Sequence, residues 1–383
     1  MKSNASAVVF PETQQAFIPV YQPDLSGNEQ KYVMECLETT WISSKGRFID
    51  EFEKIFAQHV GENVRAASVC NGTVALHLAL HTLGIGPGDE VIVPTFTYIA
   101  SVNTIAQTGA TPVFAECDPE TWLLDLADVA RRITPRTKAI LPVHLYGSAC
   151  DMPALMALAK VSKLYVVEDC AEAFGTTFNG RHVGTFGDIG TFSFFGNKTI
   201  TTGEGGMVVS TNAALLEDMR IVKGQGMMPT RRYWHDRLGF NYRMTNIEAA
   251  IGLAQIERLD QVLVRKRQIA AQYRERLRAL PVTFQRIPEN VESSEWLFSL
   301  LLPDTESRDA AMDSLAKQEI ETRPVFHCAH LMPMYCGQTP ARYPISENIS
   351  ARGMSLPSYP GLTMVDIDRI CNALAQFLNR FSN

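Results

Sequence analysis

Residues 90–117 read EVIVPTFTYIASVNTIAQTGATPVFAEC. EVIVPTF has the length and apolar continuity of a buried strand, YIASVNTIAQTG carries a helical period, and TPVFAEC is a second strand. Two strands joined through a helix are expected to lie parallel in one sheet, because the crossover returns the chain to the end where it began. The same alternation continues outward. TVALHLALHTLG upstream predicts a helix. Downstream come a helix near LADVARRI, the strand KAILPVH, the helix MPALMALAK, the strand LYVVEDC and the aromatic strand IGTFSFF. These strands are apolar throughout rather than alternating, so helices are expected on both faces of the sheet. The prediction is a large α/β domain over residues 17–260, built on a mixed, mostly parallel sheet. NIEAAIGLAQIERLDQVLVRKRQIAAQYRERLRAL then reads as one long amphipathic helix ended by Pro281. Beyond it, SEWLFSLLL, RDAAMDSLAKQ and VDIDRICNALAQFL predict a smaller C-terminal α+β domain over residues 261–383, while residues 1–16 read as a flexible arm.

The 383-residue chain has a formal net charge of −6, which argues against a nucleic-acid partner, since counterion release needs a strongly basic surface. Its eight cysteines are scattered with no CxxC pair, the pattern of reduced, cytoplasmic thiols. No apolar stretch reaches membrane-spanning length and the first residues lack a signal-like run, so a cytoplasmic location without a membrane partner is expected. Some motif-like stretches fail on context. GIGPG, from Gly84 to Gly88, ends a helix and precedes a strand, the reverse of a dinucleotide fingerprint. His77 and His81 share a helical face but lack the glutamate and third ligand of a zinc site, so no metal is assigned. The lysine of GNKT follows asparagine outside a strand–loop–helix frame, so it is not a P-loop.

Residues 192–206, FSFFGNKTITTGEGG, set Lys198 between an aromatic strand and a glycine-rich turn. A lysine held just off a core strand loses water, which lowers its pKa toward the range where the neutral amine is a nucleophile. Groups of complementary chemistry fall at the ends of other predicted strands, where open α/β sheets place ligands. In CNGTVALH, Asn71, Gly72 and Thr73 open a helix, whose free amides suit either a phosphate or an ordinary N-cap. In VVEDCAEAFG, Asp169 ends a buried strand and needs a cationic or donor partner, such as a protonated ring nitrogen. Glu172 could support the same ring or sit in a solvated loop. Tyr98, after VPTFT, could stack on a flat ring or pack in the core. A phosphate cup, an aromatic plate, a carboxylate for a ring nitrogen and a lysine amine together describe one cofactor, pyridoxal phosphate.

With FSFFGNKTITTGEGG, VVEDCAEAFG, PTFTYIASVNTI, NGTVALHLAL and GFNYRMTNIEAAIG in place, the chain resembles the DegT-type sugar-nucleotide aminotransferases, from about Ile18 to the C-terminus. The resemblance implies an aspartate aminotransferase-like fold and transfer of an amino group from glutamate to a nucleotide-linked 4-keto-6-deoxy sugar, most closely GDP-4-keto-6-deoxymannose, for surface polysaccharide. It implies Lys198 as the amine that bonds the cofactor aldehyde, Asp169 as the ring-nitrogen partner, Glu172 near the ring hydroxyl, Tyr98 stacking, and Gly72, Thr73 and Ser193 on the phosphate. It also implies that Asn241 of the NYR block reaches the phosphate of a neighbouring subunit, hence a homodimer with shared sites. On the substrate side, Trp41, Ser43 and Ser44 of WISSKG could wrap the sugar, and Arg323 and His327 of TRPVFH could meet the sugar or nucleotide. A core tryptophan and solvated arginine or histidine compete with those roles. Arg231, Arg232 and Arg237 suit either a diphosphate or solvent. A sugar dehydratase of the same fold looks similar but carries histidine in place of this lysine. A non-catalytic binding protein of that fold is expected to have lost the lysine or the aspartate.

Overall fold

A computed structural model describes residues 16–337 and 342–381, so the arm expected at residues 1–16 lies, apart from residue 16, outside the described residues. Nine strands precede residue 211: β1 (Arg65–Val69), β2 (Glu90–Pro94), β3 (Thr111–Ala115), β4 (Thr137–Ile140), β5 (Tyr165–Asp169), β6 (Thr177–Phe178), β7 (Arg181–His182), β8 (Ile189–Ser193) and β9 (Gly206–Ser210). Seven of them form the central sheet in the order β1-β9-β8-β5-β4-β2-β3. β3, β2, β4, β5 and β8 run parallel, and β9 is antiparallel to both β8 and β1. The sheet is thus mixed and mostly parallel, as the alternation of residues 90–117 predicts. Val91, Ile92, Val93, Val166, Val167, Val208 and Val209 are all buried, which explains why these strands show no polar face.

The register fixes where the ligand edge lies. Val69 at the end of β1 pairs with Gly206, and Gly206 pairs with Ser193 at the end of β8. The C-terminal ends of β1, β5 and β8 therefore meet on one edge, where the connections carry Asn71, Asp169 and Lys198. Asp169 is held in place from behind. The His144 amide donates to its carbonyl at 3.0 Å, and the adjacent Glu168 carboxylate accepts the amides of Gly184 and Gly187 at 2.7 and 2.6 Å.

The second layer of the molecule follows β10 (Thr283–Phe284) and β11 (Val291–Glu292), the latter pairing with β6. β12 (Phe298–Leu301), β13 (Arg323–Pro324) and β14 (Gly353–Leu356) join β10 in an antiparallel sheet of order β10-β12-β14-β13. Helices Leu259–Leu277, Thr305–Ala316 and Met364–Phe381 bury Ile269, Tyr273, Leu315, Ile367 and Leu374 against it. Ile18 belongs to this same core, so the start of the described chain packs beside its end. Val325, Ala329, Tyr335 and Tyr343 return to the core of the central sheet, where His330 Nδ1 and the Thr95 hydroxyl lie 2.7 Å apart.

The helix expected from Asn246 to Leu280 differs from the prediction. It is two helices, Asn246–Ile256 and Leu259–Leu277. Arg258 leaves helical geometry at φ −115° and ψ 9°, its guanidinium bonded to Asp24 at 2.8 Å. Glu257 beside it accepts hydrogen bonds from Asn28 and Tyr32, both at 2.7 Å. Anchoring to residues 24–32 breaks a helix that propensity alone would have continued.

Candidate active site

The lysine turn is built by the β8–β9 connection. Phe192 and Phe194 are buried beneath it, and the Lys198 amide donates back to the Phe195 carbonyl at 2.9 Å. Two aromatic side chains hold the turn from outside. The Trp296 indole N–H donates to the Asn197 carbonyl at 2.6 Å, and the Tyr21 hydroxyl donates to the Lys198 carbonyl at 2.6 Å. The Lys198 ammonium lies 4.1 Å from the centre of the Trp296 ring. Its side chain is 12% exposed and stands 4.0 Å from Glu172. Burial holds its pKa below the usual lysine value, and the nearby Glu172 and Asp169 carboxylates oppose that shift.

Glu172 is 3% exposed, and burial pushes its carboxyl up to about 7 against the pull of Lys198 and of the Tyr146 amide, which donates to it at 2.8 Å. At 4.0 Å the amine and carboxyl share no hydrogen bond, so desolvation governs both groups. Asp169, 4% exposed, accepts from the Ser101 hydroxyl at 2.8 Å and the Ala171 amide at 3.0 Å. Among the described residues it has no ion pair within 4.0 Å, although a carboxylate offers about four acceptor positions.

Across the ligand edge, helix Gly72–Thr82 begins directly behind Ser193. The Asn71 side chain caps it by accepting the Val74 amide at 2.9 Å. Gly72 and Thr73 lie in the first turn, where amides have no acceptor within the helix and can face an anion. A methyl group on Gly72 would sit 2.6 Å from the Ser193 Cβ, so glycine is what lets helix and strand approach this closely.

These groups share a cavity of about 480 Å³ lined by Gly72, Thr73, Tyr98, Asp169, Glu172, Ser193, Lys198 and Arg323. Its walls also include residues the sequence reading did not assign: Tyr146, Trp296, Phe326 and Glu204. Phe326, Tyr146 and Trp296 stack in parallel with ring centres 5.6 and 6.2 Å apart, and Tyr98 leans on Phe326 at 5.6 Å. Arg323 reaches the mouth of the cavity while paired with Glu321 at 3.1 Å. His327 is exposed and does not line the cavity. Trp41, Ser43 and Ser44 also lie outside it, on a segment fixed by Asn246, which bonds the Trp41 and Ser43 carbonyls at 2.7 Å each. Asn241 is exposed outside the cavity, accepting from Arg243 at 3.2 Å. Arg231 and Arg232 stack on Trp234 and Tyr233 at 4.1 and 4.9 Å, while Arg237 pairs with Asp218 and Asp236.

The donor set fits pyridoxal phosphate: first-turn amides and two hydroxyls for a phosphate, a buried carboxylate without an ionic partner for a ring nitrogen, and a desolvated amine on the same cavity. Fold and site define the class as a pyridoxal-phosphate enzyme with the aspartate aminotransferase-like fold. The chain belongs to the DegT/DnrJ/EryC1/StrS aminotransferase family, whose sequence profile matches residues 23–375. GDP-perosamine synthase of Escherichia coli O157:H7 is 53% identical over 363 residues, 94% of this chain and 98% of that protein. Among solved structures, DesV of S. venezuelae matches with a TM-score of 0.90 and 34% identity, covering 96% of this chain and all of that one. Spr1654 of Streptococcus pneumoniae in its PLP form matches with a TM-score of 0.90 and 27% identity, covering 95% and 99%. Among the described residues no helix is long and apolar enough to cross a membrane.

Proposed function

We propose that the chain transfers the amino group of glutamate to the 4-keto carbon of GDP-4-keto-6-deoxymannose, producing GDP-perosamine. The observation that carries the reading is Lys198, a desolvated amine sharing one cavity with two buried carboxylates and a helix N-terminus. The choice of sugar rests on the 53% identity to a GDP-perosamine synthase, which extends over nearly the whole chain.

Pyridoxal phosphate would supply an electrophilic aldehyde carbon and an electron-withdrawing ring. Gly72 and Thr73 would hold the phosphate through their amides, with the Thr73 and Ser193 hydroxyls beside them. Asp169 would keep the ring nitrogen protonated, since its carboxylate has no other ionic partner among the described residues. Glu172 would face the ring hydroxyl, and Tyr98 would cover one face. Lys198 Nζ would hold the cofactor through its aldehyde carbon and give way there to the donor amine. The freed Nζ then takes the proton from glutamate Cα in the first half-reaction and delivers a proton to sugar C4 in the second. The Trp296 ring lies against the amine, with Tyr146 and then Phe326 stacked behind it, and burial keeps the amine below its usual basicity.

The sites are shared in a homodimer on this reading. Asn241 lies outside the cavity of its own chain and would reach a partner's phosphate site. Trp41, Ser43 and Ser44 are tied through Asn246 to the helix that follows it, and would meet the partner's sugar. Arg323 and His327 would contact the nucleotide or sugar from the same chain. A cytoplasmic location is supported by the eight cysteines, all of which are free.

The test incubates the protein with glutamate and GDP-, UDP- and dTDP-linked 4-keto-6-deoxy sugars, with products read by mass. The GDP acceptor should be aminated and 2-oxoglutarate released. Amination of a UDP or dTDP acceptor in its place overturns the sugar assignment, and absence of 2-oxoglutarate with every acceptor overturns transamination from glutamate.

A further inference from the structure

We propose that Lys266 is a positioning residue for Lys198, supporting from below both aromatic side chains that clamp the lysine turn. The inference rests on the assignment of Lys198 above. Lys266 lies within helix Leu259–Leu277 and is 2% exposed. Its ammonium donates to the main-chain carbonyls of Trp296 at 2.9 Å and Ser358 at 2.5 Å, and lies 5.2 Å from the centre of the Tyr21 ring. Its bonded partners are therefore carbonyls rather than a carboxylate. Glu295, the acid that acts on it through space, is engaged by Arg274 at 2.9 Å.

Each partner of Lys266 leads to the same turn. Trp296 donates its indole N–H to the Asn197 carbonyl and lays its ring against the Lys198 ammonium. Tyr21 donates its hydroxyl to the Lys198 carbonyl. Ser358 fixes the Tyr21 segment, because its amide donates to the Val20 carbonyl at 3.1 Å. Consecutive carbonyls at 197 and 198 are thus gripped by aromatic donors from two remote segments, and one buried amine bonds the main chain of Trp296 and faces the ring of Tyr21. An apolar side chain of the same length would fill the space at less desolvation cost, but would leave two buried carbonyls without a donor and would release the clamps from each other. Burial brings the Lys266 amine down to about 7, and even the neutral amine keeps two N–H donors, one for each carbonyl.

The test compares Lys266→Met with the native holoenzyme. If the clamps loosen, water reaches Lys198, and the pH midpoint of the bound cofactor's visible absorption band should rise by about one unit. Deuterium uptake across residues 194–201 should rise about threefold or more while that of helix Thr305–Ala316 stays native. A folded Lys266→Met protein with the native midpoint and native uptake at 194–201 makes Lys266 a packing residue and overturns the proposal, even if its Tm falls. Should Lys266→Met not fold, Tyr21→Phe removes one clamp's hydroxyl donor alone and should give the same two shifts; native values there overturn it equally. A wild-type protein whose visible band is not bonded to Lys198 overturns the site assignment instead, and the deuterium comparison still decides whether Lys266 holds the turn.

Discussion

Asp169 is a buried carboxylate whose partners are neutral, a serine hydroxyl and a backbone amide. Such a group is costly unless a cation completes it, and on the proposed function a cofactor ring nitrogen takes that role. Asp169→Asn keeps shape and volume but cannot hold a proton on that nitrogen. We predict that the variant retains cofactor while kcat falls roughly a hundredfold or more, the scale of losing one preorganised electrostatic contact. Stopped-flow reduction of the bound cofactor by glutamate measures this, and near-native rates in a fully loaded variant would make Asp169 structural. At this scale much was legible. Lys198 and Asp169 stand out because their immediate neighbours mark them, a glycine frame for one and an apolar strand end for the other. Trp296, Tyr146 and Tyr21 carry no such mark. They reach the site from remote segments, and nothing in SEWLF or HLYG distinguishes a cavity wall from an ordinary core aromatic.

The connection from β8 to β9 decides how the site is assembled. A parallel crossover needs a dozen or more residues and usually a helix, whereas residues 194–205 contain none. The chain therefore turns back antiparallel, and Gly206 comes to lie between Val69 and Ser193. This is where β1 and the helix after it are drawn onto the ligand edge. Gly72 and Ser193, both proposed to hold the phosphate, approach closely, so Gly72→Ala forces its new methyl against the Ser193 Cβ. Overpacking of this kind costs about 1–3 kcal/mol, and the strain falls on the groups assigned to the phosphate. Cofactor affinity should drop about tenfold or more, measured by fluorescence titration of the cofactor-free variant. Unchanged affinity would separate the helix start from the phosphate. Strands β2, β3, β4, β5 and β8 were readable from continuous apolar runs, but β1 and β9 were not among those expected, and GMVVS has the same composition whether it runs parallel or antiparallel. The break at Glu257–Arg258 was hidden for a related reason. The amphipathic period runs on across it, and the anchors that override it, Asp24, Asn28 and Tyr32, lie more than two hundred residues earlier.

Across the whole molecule, the site depends on segments that only the complete fold assembles. Tyr21 comes from the start of the described chain, Trp296 and Arg323 from the second sheet's surroundings, and Lys198 from the first sheet. The smaller antiparallel sheet is built from strands that begin at Thr283, after the change in pattern near residue 260. The return of Val325, Ala329, Tyr335 and Tyr343 to the first core could not be read, because apolar residues in ETRPVFHCAHLMPMY show no period that says which core receives them. Other lysines in the chain are also buried and depressed in pKa, notably Lys223 beside Glu53 and Lys266. Depressed basicity alone therefore does not select the catalytic amine, and what selects Lys198 is its place on the cavity with Asp169 and Glu172. The direct test is borohydride reduction of the holoenzyme followed by peptide mass spectrometry over the whole chain. The account predicts that the reduced cofactor is carried by Lys198 alone; its recovery on Lys163, Lys223 or Lys266 would contradict it.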